Sequence, residues 1–204
     1  MTTVTMPSNV AKHQRAAAAR VLADAFAEDA IWQDVRPKRP GRAAAALYWF
    51  FRGEVEICAR LGGYLQATFD AERRPAAVLI AYERTGPRFP LWVWLFRLPA
   101  IVLLGLPRTV LMAKMLAEVE AAHPTRPHFY FWYVGARTLG GGATLLKRVM
   151  RVAQAKGLPG YGEAKSADVV QMCEILGWRS HPPIEIGAGH KVTPVWWLPA
   201  VEGK

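Results

Sequence analysis

Three features predict an α/β fold in which strands and helices alternate around a mixed sheet. Apolar residues recur at helical spacing in several long segments, short aromatic and β-branched runs lie between them, and glycine or proline punctuates most junctions. The chain has 204 residues, 52% of them apolar. It is therefore long enough to bury a sizeable core, and it reads as one domain over residues 1–204, without repeat or low-complexity linker.

In chain order, alanines and leucines at helical spacing predict a first helix from Val10 to Phe26. The basic, breaker-rich turn Arg36 to Gly41 precedes a second amphipathic helix, Arg42 to Leu61, that stops at Gly62-Gly63. Tyr64 to Phe69 and Ala76 to Tyr82 then read as a hairpin around the charged turn Asp70 to Pro75. Two helices follow, broken near Pro99 and Pro107, the second running from about Arg108 to Ala122. His128 to Val134 is aromatic and β-branched enough for a central strand, and Gly142 to Lys156 carries the apolar stripe of a buried-face helix. A short strand ending at Glu163, a helix from Ser166 (its cap) to Leu176, and a pair of strands within Trp178 to Pro199 complete the series.

Bulk properties exclude some functions. Cys58 and Cys173 are far apart with no CxxC or clustered histidine pattern, so neither a disulfide framework nor a zinc site is expected, and a reducing cytoplasm fits. Met1 to Val10 does not resemble a signal or transit peptide. The most lipophilic stretch, Leu91 to Leu106, falls short of the roughly 20 residues of a membrane span and contains Arg97 and Pro99. A buried or pocket-lining helix is expected there, with interfacial insertion as the alternative. The net charge of +10 favours an anionic partner. The basic residues are scattered rather than gathered on one helix face, so nucleic acid is not expected.

The chemically informative segment is strand, then Arg137-Thr138-Leu139-Gly140-Gly141-Gly142-Ala143, then helix. Such a turn lets backbone N–H groups approach a phosphate, the helix N-terminus adds its positive dipole end, and Arg137, Lys147 and Arg148 add charge. A tight connection without a ligand is the alternative reading. The turn lacks both GxxxxGK[ST] and the dinucleotide βαβ pattern, which leaves coenzyme A as the leading phosphate ligand.

Arg137-x-x-Gly140-x-Gly142 resembles the R/Q-x-x-G-x-G/A pyrophosphate signature of the GNAT N-acetyltransferase superfamily. His123 to Ala136, Ala155 to Ala164 and Cys173 to Trp178 follow in family order and spacing, so the resemblance spans roughly residues 12 to 180. It is similar in particular to the puromycin N-acetyltransferase-like branch, whose first helix also ends in Ala-Phe and an acidic pair, here Ala25-Phe26 and Glu28-Asp29. The resemblance implies a mixed, mostly antiparallel twisted sheet of six to seven strands flanked by helices. It also implies transfer of an acyl group from acetyl-CoA or another acyl-CoA to an amine by direct attack, without a metal. Val134, Gly135, Ala136 and the turn from Arg137 to Ala143 would hold the cofactor. Two departures stand out: the chain between Ala136 and Arg137 is shorter than the family's, and the family's Asn-x-x-x-Tyr pair is matched by Val169 and Cys173.

Glu163, at a strand end beside that cofactor, is the candidate base for the amine proton, unless it is a structural carboxylate. Cys173 takes the place of the family's tyrosine acid, unless it is an inert buried thiol. Asp29, with Glu28 and Asp34, would meet a cationic acceptor, and Trp32, Trp92, Trp94 and Trp132 would line its pocket or serve the core. His123 and His128 are read as structural or surface residues, with a role as bases the alternative. The expected acceptor is a small-molecule or peptide amine; the alternatives are a longer-chain acyltransferase using acyl-CoA or an acyl-carrier protein, and a non-catalytic sensor or partner-binding protein on the same scaffold. Monomer and homodimer remain open.

Overall fold

The computed structural model describes residues 8–84, 90–137, 140–187 and 189–199. The elements in order are β1 (Ser8–Asn9), α1 (Arg15–Ala25), α2 (Ala30–Val35), α3 (Pro40–Arg60), β2 (Tyr64–Phe69), β3 (Pro75–Arg84), α4 (Trp94–Leu104), α5 (Leu106–Ala121), β4 (His128–Ala136), α6 (Gly141–Ala155), β5 (Gly160–Ala164), α7 (Ala167–Ile175), β6 (Arg179–Ser180), β7 (Ile184–Ile186) and β8 (His190–Trp197). The strands lie in the order β1-β2-β3-β4-β5-β8-β6, with β7 also on β8. All pairings are antiparallel except β4 with β5. This is the mixed, mostly antiparallel sheet the sequence predicts, with two two-residue strands, β1 and β6, added at its margins.

β3 shows why helices cover both faces. Successive residues point to opposite sides of a sheet, and here both sides are apolar. Val78, Ile80 and Tyr82 pack with α1 and α3, while Ala77, Leu79 and Ala81 pack with α6. α1 is alanine-rich and turns Ala18, Ala19, Val21 and Leu22 inward. α3 begins with Pro40 in its first turn and lays Leu47, Phe50, Phe51 and Val55 on the sheet. On α6, Leu145, Leu146, Val149, Met150 and Ala153 are buried, as their spacing predicts. α4 crosses α3 at Gly53, where a Cβ would stand 2.5 Å from the Phe96 carbonyl oxygen.

Several expectations are corrected. The first helix starts at Arg15 rather than Val10, after a 3₁₀ turn over Lys12–Gln14. Helix α2 was not foreseen; six residues are too few to show a period, but Asp29 caps it by accepting from the Trp32 N–H at 3.1 Å. The chain does not break near Pro99, which lies inside α4. The break falls at Gly105 (φ +80°), and Pro107 occupies the first turn of α5, where a missing N–H costs nothing. The terminal strand pair is three strands, because β6 and β7 each pair with β8.

Candidate active site

β4 and β5 create the site by parting. They pair in parallel at Phe129 with Gly160 and Tyr130 with Tyr161 only. β4 also carries a bulge against β3: Ile80 faces Tyr133 and Ala81 faces Phe131, so Trp132 is the extra residue. A bulge bends its strand and re-aims its side chains, which is why such features gather at functional sites. Beyond Tyr130 the two strands form opposite walls of an open crevice of about 890 Å³, lined by Phe131 to Val134 on one side and Gly162 to Lys165 on the other. Between antiparallel β3 and this opening, the edge of β4 facing β5 has no ladder partner past Tyr130 among the described residues.

At one end of the crevice, Gly140 adopts φ +83° as the N-cap of α6, a conformation that favours glycine. The first backbone bond back to it is Thr144 N–H to the Gly140 carbonyl, 3.1 Å, so the amides of Gly141, Gly142 and Ala143 at the helix start have no backbone carbonyl partner among the described residues. A Cβ on Gly142 would meet Val134 Cγ1 at 3.2 Å. Gly135 serves packing: a Cβ there would press on Ala25 and Leu22 of α1. The Arg137 guanidinium donates to Asp24 at 2.8 Å, and both groups are about half exposed. Such a pair contributes roughly 0–1 kcal/mol. Thr138 and Leu139 lie outside the described residues.

Glu163, on β5, has a side chain only 9% exposed. Tyr130 Oη donates to its Oε2 at 2.8 Å, and His123 Nδ1 stands 3.6 Å from its Oε1, an ion-pair distance beyond hydrogen-bond length. The His123 and His128 rings meet Nε2 to Nε2 at 3.0 Å, and His128 Nδ1 lies 2.8 Å from the Arg126 carbonyl oxygen. That carbonyl can only accept, so His128 Nδ1 carries a proton. Burial, reinforced by the neighbouring Glu163 charge, holds the Tyr130 hydroxyl well above the usual tyrosine range, so it remains a donor. The approach of His123 to Glu163 joins residues 40 positions apart in sequence, so no local pattern reveals it.

Cys173 and Val169, on α7, line the far wall of the same crevice. Burial pushes the Cys173 thiol up to about 11. Transfer of its proton to a thiolate of ordinary pKa, about 8.5, would therefore be uphill by on the order of 3 kcal/mol.

A second, smaller chamber of about 120 Å³ opens beside the crevice. Trp32 and Val35 of α2, Leu47, Phe50 and Phe51 of α3, and Met112 and Met115 of α5 make it apolar. The two cavities share Phe26, Asp29, Ile31, Trp132, Tyr133, Glu163 and Lys165, so they adjoin along a wall that carries two carboxylates, Asp29 and Glu163. Asp29 and Lys165 pair at 3.2 Å across this junction. Of the acceptor-side candidates, Asp29 and Trp132 line both cavities and Trp32 lines the chamber, whereas Trp92 and Trp94 lie on the outer surface. Asp34 pairs instead with His190, at 2.6 Å. No cluster of His, Cys, Asp and Glu suited to a metal ion occurs among the described residues.

No protein-family model matches the sequence, and no curated protein matches it. Solved structures do. A histone acetyltransferase HPA2 and related acetyltransferase from Corynebacterium glutamicum superposes with TM-score 0.68 at 21% identity, covering 100% of this chain and 99% of that one. A mosquito arylalkylamine N-acetyltransferase like 5b gives 0.58 at 13%, covering 96% and 100%. An agmatine N-acetyltransferase gives 0.58 at 12%, covering 96% and 99%. The chain has the fold of the GNAT acetyltransferases.

Proposed function

We propose that this chain is an N-acyltransferase that moves an acetyl group from coenzyme A to a primary amine bearing a compact apolar or aromatic group. The observation that carries the proposal is the adjoining of two unlike cavities along a wall that holds the buried Glu163 carboxylate. The crevice is of the size and openness of a cofactor site. An engineered apolar cavity of about 150 Å³ accepts benzene, so a chamber of about 120 Å³ suits one ring or a short branched alkyl group. Fold neighbours named as N-acetyltransferases of arylalkylamines, agmatine and polyamines support an amine as acceptor.

In this reading the amides at the start of α6 hold the pyrophosphate, and Arg137 turns from Asp24 to join them. Coenzyme A supplies the thioester. Backbone N–H groups on the open edge of β4 polarise its carbonyl, and the chamber orients the amine. Glu163 takes the amine proton. Thiolate departure needs little acid help, because a thiol of pKa about 8.5 leaves readily; Cys173 then serves as wall.

Steady-state thiol release tests the proposal, with acetyl, hexanoyl and palmitoyl donors against ring-bearing, polyamine and peptide acceptors. Turnover should be highest with the acetyl donor and single-ring primary amines. Absence of thiol release with every pair would overturn it and favour a non-catalytic scaffold.

A further inference from the structure

Helix α4 is built inside out. Its one charged residue points inward: Arg97 Nε donates to Glu54 Oε1 at 2.7 Å, and the Glu54 side chain is 1% exposed. Val93, Arg97, Ala100 and Leu104 form the buried stripe. The outward stripe is Trp94, Leu95, Leu98 and Val102, with Leu95 65% and Val102 70% exposed. A surface helix in water shows the reverse pattern. The apolar surface continues beyond both ends, through Leu91 and Trp92 before the helix and Leu106, Val110 and Leu111 on α5 after it. Trp49, one helical turn before the Gly53 crossing on α3, adds a third exposed indole. A continuous apolar face of this extent marks an interaction site.

Charge decides what the face meets. Residues 90–117 contain no Asp or Glu. At the C-terminal end of α4, Arg42 donates to the carbonyls of Leu103 (2.6 Å) and Val102 (3.1 Å), and the exposed Arg36, Lys38 and Arg39 precede it in the chain. On its flank, the Arg60 guanidinium lies 4.3 Å from the centre of the Phe96 ring. Arg60 shares the single carboxylate of Glu56 with Arg15 and Arg52, which leaves that cluster positive. A second copy of the chain docking on this face would bring two basic rims together. An anionic bilayer accepts both features: aliphatic side chains enter the acyl boundary, indoles sit at the headgroups, and Lys and Arg meet lipid phosphates.

We propose that α4 and its flanks lie in the surface of an anionic lipid bilayer and hold the protein there. α4 has 11 residues, roughly 16 Å of helix, so it rests in the plane, and no described helix is long and apolar enough to cross a membrane. The inference is independent of what the crevice binds.

Co-sedimentation of the full chain with phosphatidylcholine vesicles, with and without phosphatidylglycerol, tests it. At least tenfold more protein should pellet with the anionic vesicles. Added salt should weaken this binding without abolishing it, because the apolar part persists. Leu98→Glu with Val102→Glu should reduce binding tenfold or more. Lys38→Glu with Arg39→Glu, two exposed side chains in the turn before α3, should remove the preference for anionic lipid even if the first variant fails to fold. A chain that stays in the supernatant with both vesicle types overturns the proposal, as does undiminished binding by a folded Leu98/Val102 variant. A dimer in light scattering that this variant dissociates, without vesicle binding, assigns the face to a second copy instead.

Discussion

The two adjoining cavities are made from different materials. The crevice is a backbone feature: it exists because β4 and β5 pair at two positions and then separate, and because α6 starts on a left-handed glycine. The chamber is a side-chain feature, assembled from residues of α2, α3, α5, β7 and β8 around one void. Main-chain walls tolerate sequence change and suit a ligand common to many proteins. Side-chain walls are redrawn by single substitutions and suit a ligand particular to one. On the proposed function, donor recognition would rest with the fold and acceptor choice with this chain's own residues.

Substitutions that strike one cavity and spare the other test that division. The largest effect is expected at the junction: Glu163→Gln, which keeps size and loses the base, should lower kcat/KM by about 10²–10⁴ with unchanged coenzyme A affinity. A loss of coenzyme A affinity alone would make Glu163 a cofactor residue. Next, Met112→Trp should fill the chamber and raise the acceptor KM for ring-bearing amines by roughly 10–200-fold, again without touching donor binding. Smallest, Cys173→Ala should change kcat by less than about tenfold, below the range of a general acid. The same thiol sharpens the picture through pH. Cys173 is raised to about 11 and Cys58 to about 12, both chiefly by burial. Folded values above the unfolded value, about 8.5, mean that stability present below that pH is lost as pH rises toward the folded values. Urea midpoints should therefore fall between pH 8 and pH 10, and the Cys58→Ser, Cys173→Ser double variant should show a shallower fall.

Where a single local pattern sufficed, the sequence was legible. The stripe on α6 and the Ser166 cap, which accepts from the Val169 N–H, are local and appear as read. So does the hairpin, whose register runs from Tyr64 with Ala81 to Thr68 with Ala77. Pro99 was misjudged because proline's effect on a helix depends on packing, and Gly105 gave the chain a less costly place to turn. α2 was hidden by its brevity. The strand–glycine–helix motif marked one side of the crevice. The bulge at Trp132, the approach of His123 to Glu163 and the chamber depend on residues far apart in sequence, and no local pattern encodes them. α4 misled for a related reason: its composition reads as buried, and only the fold reveals that Leu95, Leu98 and Val102 face outward.

The central claim is that the parted strands and the start of α6 form a site for coenzyme A. Isothermal titration calorimetry of the wild-type chain beside Gly142→Leu tests it most directly, because that side chain would project toward Val134 into the crevice while leaving the chamber untouched. The account predicts saturable binding of coenzyme A by the wild type and its loss, tenfold or more, in a variant with unchanged circular dichroism. Equal affinity in the two proteins, or no binding by either, would contradict it.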